Sequence, residues 1–341
     1  MTPAETTAID GVRLLSHRPS VLYKVEHLAT EPVNGDIAVD GLVLAGPAWS
    51  DALKELLKAV SPSERACLFA LRMSDEQALP LPAETLLDRA RTDWFPDFLA
   101  HGQMKPHFQP IVELDTGRAY GREALMRGKL GAVEVRGGEL MAAAEAHDAL
   151  FSFDYRARTA ALEIGLPLLP DGEVLFVNLD PRAALDADAT VRTTWPVVAR
   201  MNADPSRICI EVIKPERCAD RDLLAEMVEA HRKRGAQIAL DDLSCGTEAL
   251  LCLDLLRPDI AKIDMTLTSG IQHSAARRKL IAALVELAHE QGAKVVAEGI
   301  ERVDEYETML ELGVDLGQGF YFGQPTERPM AVDPRLFVRR Q

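Results

Sequence analysis

The sequence predicts an α/β protein: a (β/α)8 TIM-like barrel over residues 101–335, a small α/β domain over residues 1–80, and a connecting helix over residues 81–100. Three observations carry this. Five short apolar runs each end in a polar residue of the kind that binds a metal or a phosphate: Leu175-Phe176-Val177-Asn178, Ile208-Cys209-Ile210-Glu211, Ile238-Ala239-Leu240-Asp241-Asp242, Ile260-Ala261-Lys262 and Lys294-Val295-Val296-Ala297-Glu298. Such runs read as strands buried on both faces, as in a parallel sheet covered by helices. Their spacing of roughly 30 residues, with amphipathic stretches between, is what a parallel α/β fold requires. Lys105 to Val112, Ala119 to Met126 and Asp315 to Phe320 are further strand candidates, and the total then reaches the number that closes a barrel.

Taken in order, Val21 to Glu26 and Ile37 to Leu44 read as strands, Trp49 to Val60 as an amphipathic helix between Pro47 and Ser61-Pro62, and Cys67 to Leu71 as another strand. Pro80-Leu81-Pro82 begins a connector, and a helix from Ala83 through Leu99 leads into the barrel. Farther on, Leu223, Met227 and Val228 share one face of the stretch from Asp220 to Arg234. Leu280, Leu284, Leu287 and Ala288 do the same between Ala275 and Gln291. Gly235 and Gly292 stand where C-terminal caps belong, each just before the next strand.

A chain of 341 residues, 47% of them apolar, has room for a barrel of about 240 residues and one further small domain. No segment approaches the roughly 18 uncharged apolar residues of a membrane span, and the N-terminus lacks the basic and apolar regions of a signal peptide, so no membrane insertion is expected. Cys67, Cys209, Cys218, Cys245 and Cys252 are odd in number and include no Cys-x-x-Cys pair, which points to reduced thiols in a cytoplasmic protein. A net charge of −15 argues against a partner that is a nucleic-acid polymer. A small phosphate ligand remains open, because an acidic cluster that first takes up divalent cations presents positive charge to it.

Burying a lone carboxylate or ammonium costs several kcal/mol unless it is paired or binds a metal. Five strands ending this way therefore suggest one shared charged site, at the C-terminal strand ends where barrels gather their active groups. Each residue alone has a plainer reading. Asp241-Asp242 could be a turn with a helix N-cap, Glu211 and Lys262 a buried salt bridge, and Asn178 before Asp180-Pro181 a turn residue. Jointly, those readings require coincidence at every strand end.

Gly121-Arg122-Glu123-Ala124-Leu125-Met126-Arg127 contains a Glu-x-Leu-x-Arg pattern, preceded by Phe108-Gln109-Pro110-Ile111-Val112. Val177-Asn178-Leu179-Asp180-Pro181, Ile210-Glu211, Asp241-Asp242, Lys262-Ile263-Asp264, Ala297-Glu298-Gly299-Ile300-Glu301 and Gln318-Gly319-Phe320 follow. In this series the chain resembles the EAL domains, a bacterial family that hydrolyses cyclic di-GMP, in both order and approximate spacing. The resemblance implies a barrel whose first strand runs antiparallel. It implies two Mg²⁺ or Mn²⁺ ions per active site, one held by Glu123, Asn178, Glu211 and Asp241, the second with help from Asp242. Hard oxygen donors suit these ions, and the lack of His or Cys at the strand ends argues against zinc. It further implies opening of cyclic di-GMP to linear pGpG, with Glu123, Lys262 and Glu298 as catalytic residues and Gln109, Leu125, Arg127, Glu301 and Gln318 as ligand contacts. A homodimer through the barrel domain is implied too, and the N-terminal domain is either regulatory or a dimerising extension.

The pattern departs from the family in four places. The loop that is usually Phe-Gly-Thr-Gly-Tyr reads Leu243-Ser244-Cys245-Gly246-Thr247. Three residues beyond Glu211, where active members commonly carry a glutamate, stands Lys214, followed by Pro215. Met265 replaces an arginine or similar polar residue, and a Phe-Ile-Pro segment is missing around Leu140-Met141-Ala142. Lys214 either repels a metal or pairs with Asp242 or Glu248. The intact ligand set supports a hydrolase, and the altered loop supports a cyclic di-GMP receptor or interaction module.

Overall fold

The computed structural model describes residues 11–28, 37–38, 41–45, 48–75, 79–184, 186–243 and 246–337. The chain divides into two compact units, Met1–Asp97 with Ala142–Asp148, and Phe98–Met141 with Ala149–Gln341.

In the first unit an antiparallel sheet has the order β2-β3-β1-β4-β5, formed by β1 (Gly11–Ser16), β2 (Ile37–Ala38), β3 (Gly41–Ala45), β4 (Leu68–Arg72) and β5 (Leu81–Pro82). The helices are α1 (Pro19–Leu28), α2 (Trp49–Ala59), α3 (Pro62–Arg65) and α4 (Ala83–Arg91). Val12, Leu14, Leu44 and Leu68 from the sheet pack with Val25, Leu53, Leu57 and Leu86 from the helices in one core.

Local expectations fail here in three places. Val21 to Glu26 lies in a helix: of Val21 to Val25 only the two valines are buried, a spacing of one helical turn rather than strand alternation. Ile37 to Leu44 is a hairpin of two strands, with Ile37 opposite Leu42 and Ala38 opposite Gly41. The helix expected from Ala83 through Leu99 is interrupted: Thr92 turns its hydroxyl onto the Asp88 carbonyl at 2.6 Å, and α5 (Phe95–His101) starts afresh. The central strand β1 has no counterpart among the expected strands, although Val12 and Leu14 alternate with half-buried neighbours.

The second unit holds the barrel. Its strands are β6 (Gln103–Glu113), β7 (Ala119–Leu130), the added edge strand β8 (Val133–Arg136), β9 (Val174–Leu179), β10 (Ile208–Val212), β11 (Gln237–Leu243), β12 (Ile260–Ile263), β13 (Lys294–Ala297) and β14 (Leu316–Gln318). From β7 through β9 to β14 all barrel neighbours run parallel. As expected, the first barrel strand, β6, is antiparallel to both β7 and β14, and it closes the cylinder. After β8 come α6 (Gly137–Ala146), α7 (Leu150–Leu168), α8 (Ala189–Arg200), α9 (Arg221–Arg232), α10 (Thr247–Leu256), α11 (Met265–Thr268), α12 (Ala275–Glu290) and α13 (Val303–Glu311). Gly235 and Gly292 follow α9 and α12 with φ of 93° and 83°.

Strand alternation explains how the barrel positions polar groups. Ile111, Phe176, Cys209, Ala239, Ile260, Val296 and Leu316 form an apolar cluster. Side chains two residues apart share a strand face, so the interior position above each is Asn178, Glu211, Asp241, Lys262, Glu298 and Gln318. On the oppositely directed β6 it is two residues earlier, at Gln109. Cys67, Cys209, Cys218 and Cys252 are free and buried, and Ser244 and Cys245 lie outside the described residues. No helix among the described residues is long and apolar enough to cross a membrane.

Candidate active site

Carboxylates from separate strand ends converge on one ammonium. Lys262 Nζ lies 2.6 Å from Glu211 Oε1, 2.6 Å from Glu298 Oε1, 3.2 Å from Glu123 Oε2 and 3.7 Å from Asp241 Oδ1. Lys262 is only 1% exposed. The amides complete one side of the cluster: Asn178 Nδ2 donates to Glu123 Oε1 at 3.1 Å, and Gln318 Nε2 donates to Glu123 Oε2 at 2.7 Å and to Gln109 Oε1 at 3.2 Å. Gln109 in turn donates to the Gly323 carbonyl at 3.2 Å.

One cation cannot balance these acids. Burial, with repulsion from Glu123, pushes the Glu211 carboxyl well above its ordinary value. Burial, helped by Asp241 and Glu123, takes Glu298 up to about 7, and burial likewise raises Asp241. Glu123 goes the other way: burial acts most strongly on it, yet Lys262, Gln318 and Asn178 together hold it below the usual carboxylate range. Buried acidic groups of the cluster thus outnumber its one buried cation, and the charged forms of Glu211, Glu298 and Asp241 are opposed.

Asp241 and Asp242 sit on a bulge. Between Leu240 and Leu243 the register of β11 on β12 slips by a residue, and Asp242 takes a left-handed φ of 62°. Bulges next to sites re-aim side chains in this way. Beside it runs a cavity of about 340 Å³ lined by Glu123, Leu125, Arg127, Asn178, Asp241 and Asp242, and also by Lys214. Arg127 donates to the Met126 carbonyl at 2.9 Å. Glu248 pairs with Arg221 at 2.6 Å. Glu301 is exposed, and its backbone N–H donates to Glu305 Oε2 at 3.0 Å; no described contact joins its carboxylate to the cluster.

The same cavity exposes a pair that sequence reasoning overlooked. Asp154 and Arg158, one turn apart on α7, are both buried, form an ion pair and line the cavity wall. Asp154 Oδ1 also accepts the Asp180 N–H at 3.1 Å, and Arg158 Nε donates to Thr194 Oγ1 at 2.8 Å. A signal existed, since the pair shares a helix face with Phe153, Ala161 and Leu162. An Asp and Arg at this spacing ordinarily read as a solvated pair.

The donor set fits divalent cations on three counts. One oxygen from each of Glu123, Glu211 and Glu298 lies within 4.8 Å of the others. Asn178 Oδ1 and Glu211 Oε2 are buried with no hydrogen-bond partner, a costly condition that a bound group would relieve. All donors are hard oxygens, as Mg²⁺ and Mn²⁺ prefer.

Comparison with known proteins gives one answer. MucR of Pseudomonas aeruginosa, named as a bifunctional diguanylate cyclase/cyclic di-GMP phosphodiesterase, is 26% identical over 231 residues, 67% of this chain and 34% of MucR. PdeB of Escherichia coli, named as a probable cyclic di-GMP phosphodiesterase, is 27% identical over 232 residues, 64% of this chain and 42% of PdeB. A standalone EAL protein from Vibrio cholerae, solved in its c-di-GMP-bound form, matches with a TM-score of 0.62 at 27% identity, over 69% of this chain and 98% of that one. Across four curated relatives the chain spans 31% to 43% of the relative's length. The pattern that defines the EAL domain matches residues 92–325, more than half of the sequence, and the chain belongs to the EAL domain family.

Proposed function

We propose that this protein hydrolyses cyclic di-GMP to linear pGpG in bacterial second-messenger signalling, with two Mg²⁺ or Mn²⁺ ions as cofactors, and that it acts in the cytoplasm. The observation that carries this reading is the convergence of Glu123, Glu211, Asp241 and Glu298 on Lys262, beside buried oxygens of Asn178 and Glu211 that lack partners. Glu123, Asn178, Glu211 and Asp241 would hold one ion, and Asp241 with Asp242 the other. Bound there, divalent ions supply the charge that activates a water and stabilises the phosphodiester transition state.

The chain's own groups do the rest. Lys262, once its carboxylates are shared, directs its ammonium at the phosphate oxygens. Glu298, 2.6 Å from the Lys262 ammonium, orients the attacking water and accepts its proton. Gln318 and Gln109 fix the Glu123 carboxylate through their hydrogen-bond chain. Leu125 and Arg127 line the cavity where one half of the nucleotide lies, and Glu301 contacts the other half from the rim.

Incubation of the purified protein with cyclic di-GMP and Mg²⁺ or Mn²⁺, followed by chromatography, tests the reading. Formation of pGpG that Glu123→Ala abolishes is expected. Absence of pGpG in both proteins rejects hydrolysis. The presence of Lys214 in the cavity wall favours a second reading, a receptor that binds without turnover, and retention of nucleotide in chelator would identify it. We also propose a homodimer through the barrel domain, supported by the exposed Leu250, Leu251 and Leu255 on α10. A monomer at micromolar concentration in sedimentation would reject the dimer.

A further inference from the structure

Lys214 occupies a strained and charged position that the hydrolytic scheme leaves unused. It follows β10, is half-buried, and lines the cavity together with Asn178, Asp241 and Asp242. Its backbone takes a left-handed φ of 48°, although it carries a long side chain and precedes Pro215. Such backbone strain costs about 1–3 kcal/mol and persists only where the surroundings enforce it. Asp242, on the bulge of the neighbouring strand β11, is also left-handed, and both residues line the same cavity.

The electrostatics point the same way. Lys214 lines the same cavity as Asp242, so its ammonium charge acts on the second cation position. On the Lys262 side of the site, Glu211 and Asn178 keep buried oxygens without partners. Lys262 thus reaches one oxygen of Glu211 and leaves the other, with that of Asn178, open to a cation, whereas Lys214 lies in the wall that also holds Asp242.

We propose that Lys214 makes the two cation positions unequal: the free protein binds one divalent ion at Glu123, Asn178, Glu211 and Asp241, and the Asp242 position fills only when a phosphodiester ligand is bound. The inference deepens the two-ion reading above and rests on it. A unit charge at the edge of a protein site changes the affinity of a nearby dication by about tenfold or more. A phosphodiester placed between Lys214 and the second position offers anionic oxygens to both, which removes the repulsion. The nucleotide thereby completes the site that acts on it.

Mn²⁺ binding followed by electron paramagnetic resonance tests this without turnover as the readout. Wild-type protein free of nucleotide should bind one Mn²⁺ with an uncoupled spectrum, and cyclic di-GMP added and frozen before hydrolysis should bring a second ion and an exchange-coupled signal. Lys214→Asn, which tolerates the left-handed backbone, should bind the second ion about tenfold more tightly without nucleotide. Lys214→Arg, which keeps the charge, should behave as the wild type does. The proposal is overturned if the free wild type binds two ions as tightly as Lys214→Asn does, if Lys214→Arg matches Lys214→Asn, or if cyclic di-GMP brings no second ion. Failure of the wild type to bind any Mn²⁺ would instead reject the metal reading on which the inference rests.

Discussion

Two buried ionic clusters in the barrel unit, around Lys262 and around Arg122, use the same residue types to different ends. Arg122 donates from Nε and Nη2 to the two oxygens of Glu173 at 2.7 and 3.0 Å, and from Nη1 to the Met330 carbonyl at 2.7 Å. One cation meets one anion, and every oxygen and nitrogen has a partner. Lys262 faces several carboxylates, while Glu211 Oε2 and Asn178 Oδ1 have none. A closed, balanced pair is a structural clamp; an unbalanced cluster with orphaned oxygens is shaped for something not encoded by the chain. The difference teaches that burial of charge alone does not mark a site, and that the residual imbalance does.

The sharpest way to break the comparison is Glu211→Gln. It should lower pGpG formation by about 10³-fold or more, yet leave the melting temperature in chelator unchanged or higher, because burial and Glu123 already oppose the Glu211 charge. A loss of stability as large as that of an Arg122 variant would make the Lys262 cluster structural as well. Arg122→Met should cost about 3–5 kcal/mol in urea unfolding, since Glu173 is left buried and unpaired, with Mn²⁺ stoichiometry per folded molecule intact. Loss of Mn²⁺ binding in that variant would dissolve the distinction. Next, Mn²⁺ at about a hundred times its Kd should stabilise wild type by about 2.7 kcal/mol, and Glu211→Gln should lose most of that gain.

A separate effect, confined to acid, concerns a third polar cluster. His231 is fully buried, with Nε2 2.9 Å from Thr190 Oγ1. Burial, then Arg158 and Arg234, push it from 6.5 down to about 3. The unfolded chain takes up a proton near 6.5 that the folded one refuses until about 3. Its contribution is therefore complete above 6.5 and falls by about 1.4 kcal/mol per pH unit between those values. Comparing acid unfolding of wild type and His231→Gln measures it; parallel curves would remove His231 as the cause.

How much the sequence reveals depends on where side chains point. Barrel strands were legible because Leu175 to Val177 or Val295 to Ala297 are apolar on both faces, and the polar residue ending each run marks the rim. The antiparallel first strand came only through the family resemblance. In the first unit, Val21 to Glu26 misleads because a short apolar stretch fits either period, and only the burial of Val21 with Val25 decides. Asp154 and Arg158 were overlooked for another reason: their helix face gave a signal, but their partners, the Asp180 amide and Thr194, lie 26 and 36 residues away. The imbalance around Lys262 is also tertiary, since it needs distances rather than residue types.

The closing strand ties the barrel wall to the site. β14 is three residues long and pairs with β6 through Leu316, Gly317 and Gln318. A nascent or truncated copy ending before Leu316 would leave the cylinder unsealed between β13 and β6 and Glu123 without its Gln318 donor. Completion of the wall and completion of the hydrogen bonds around Glu123 thus depend on the same three residues.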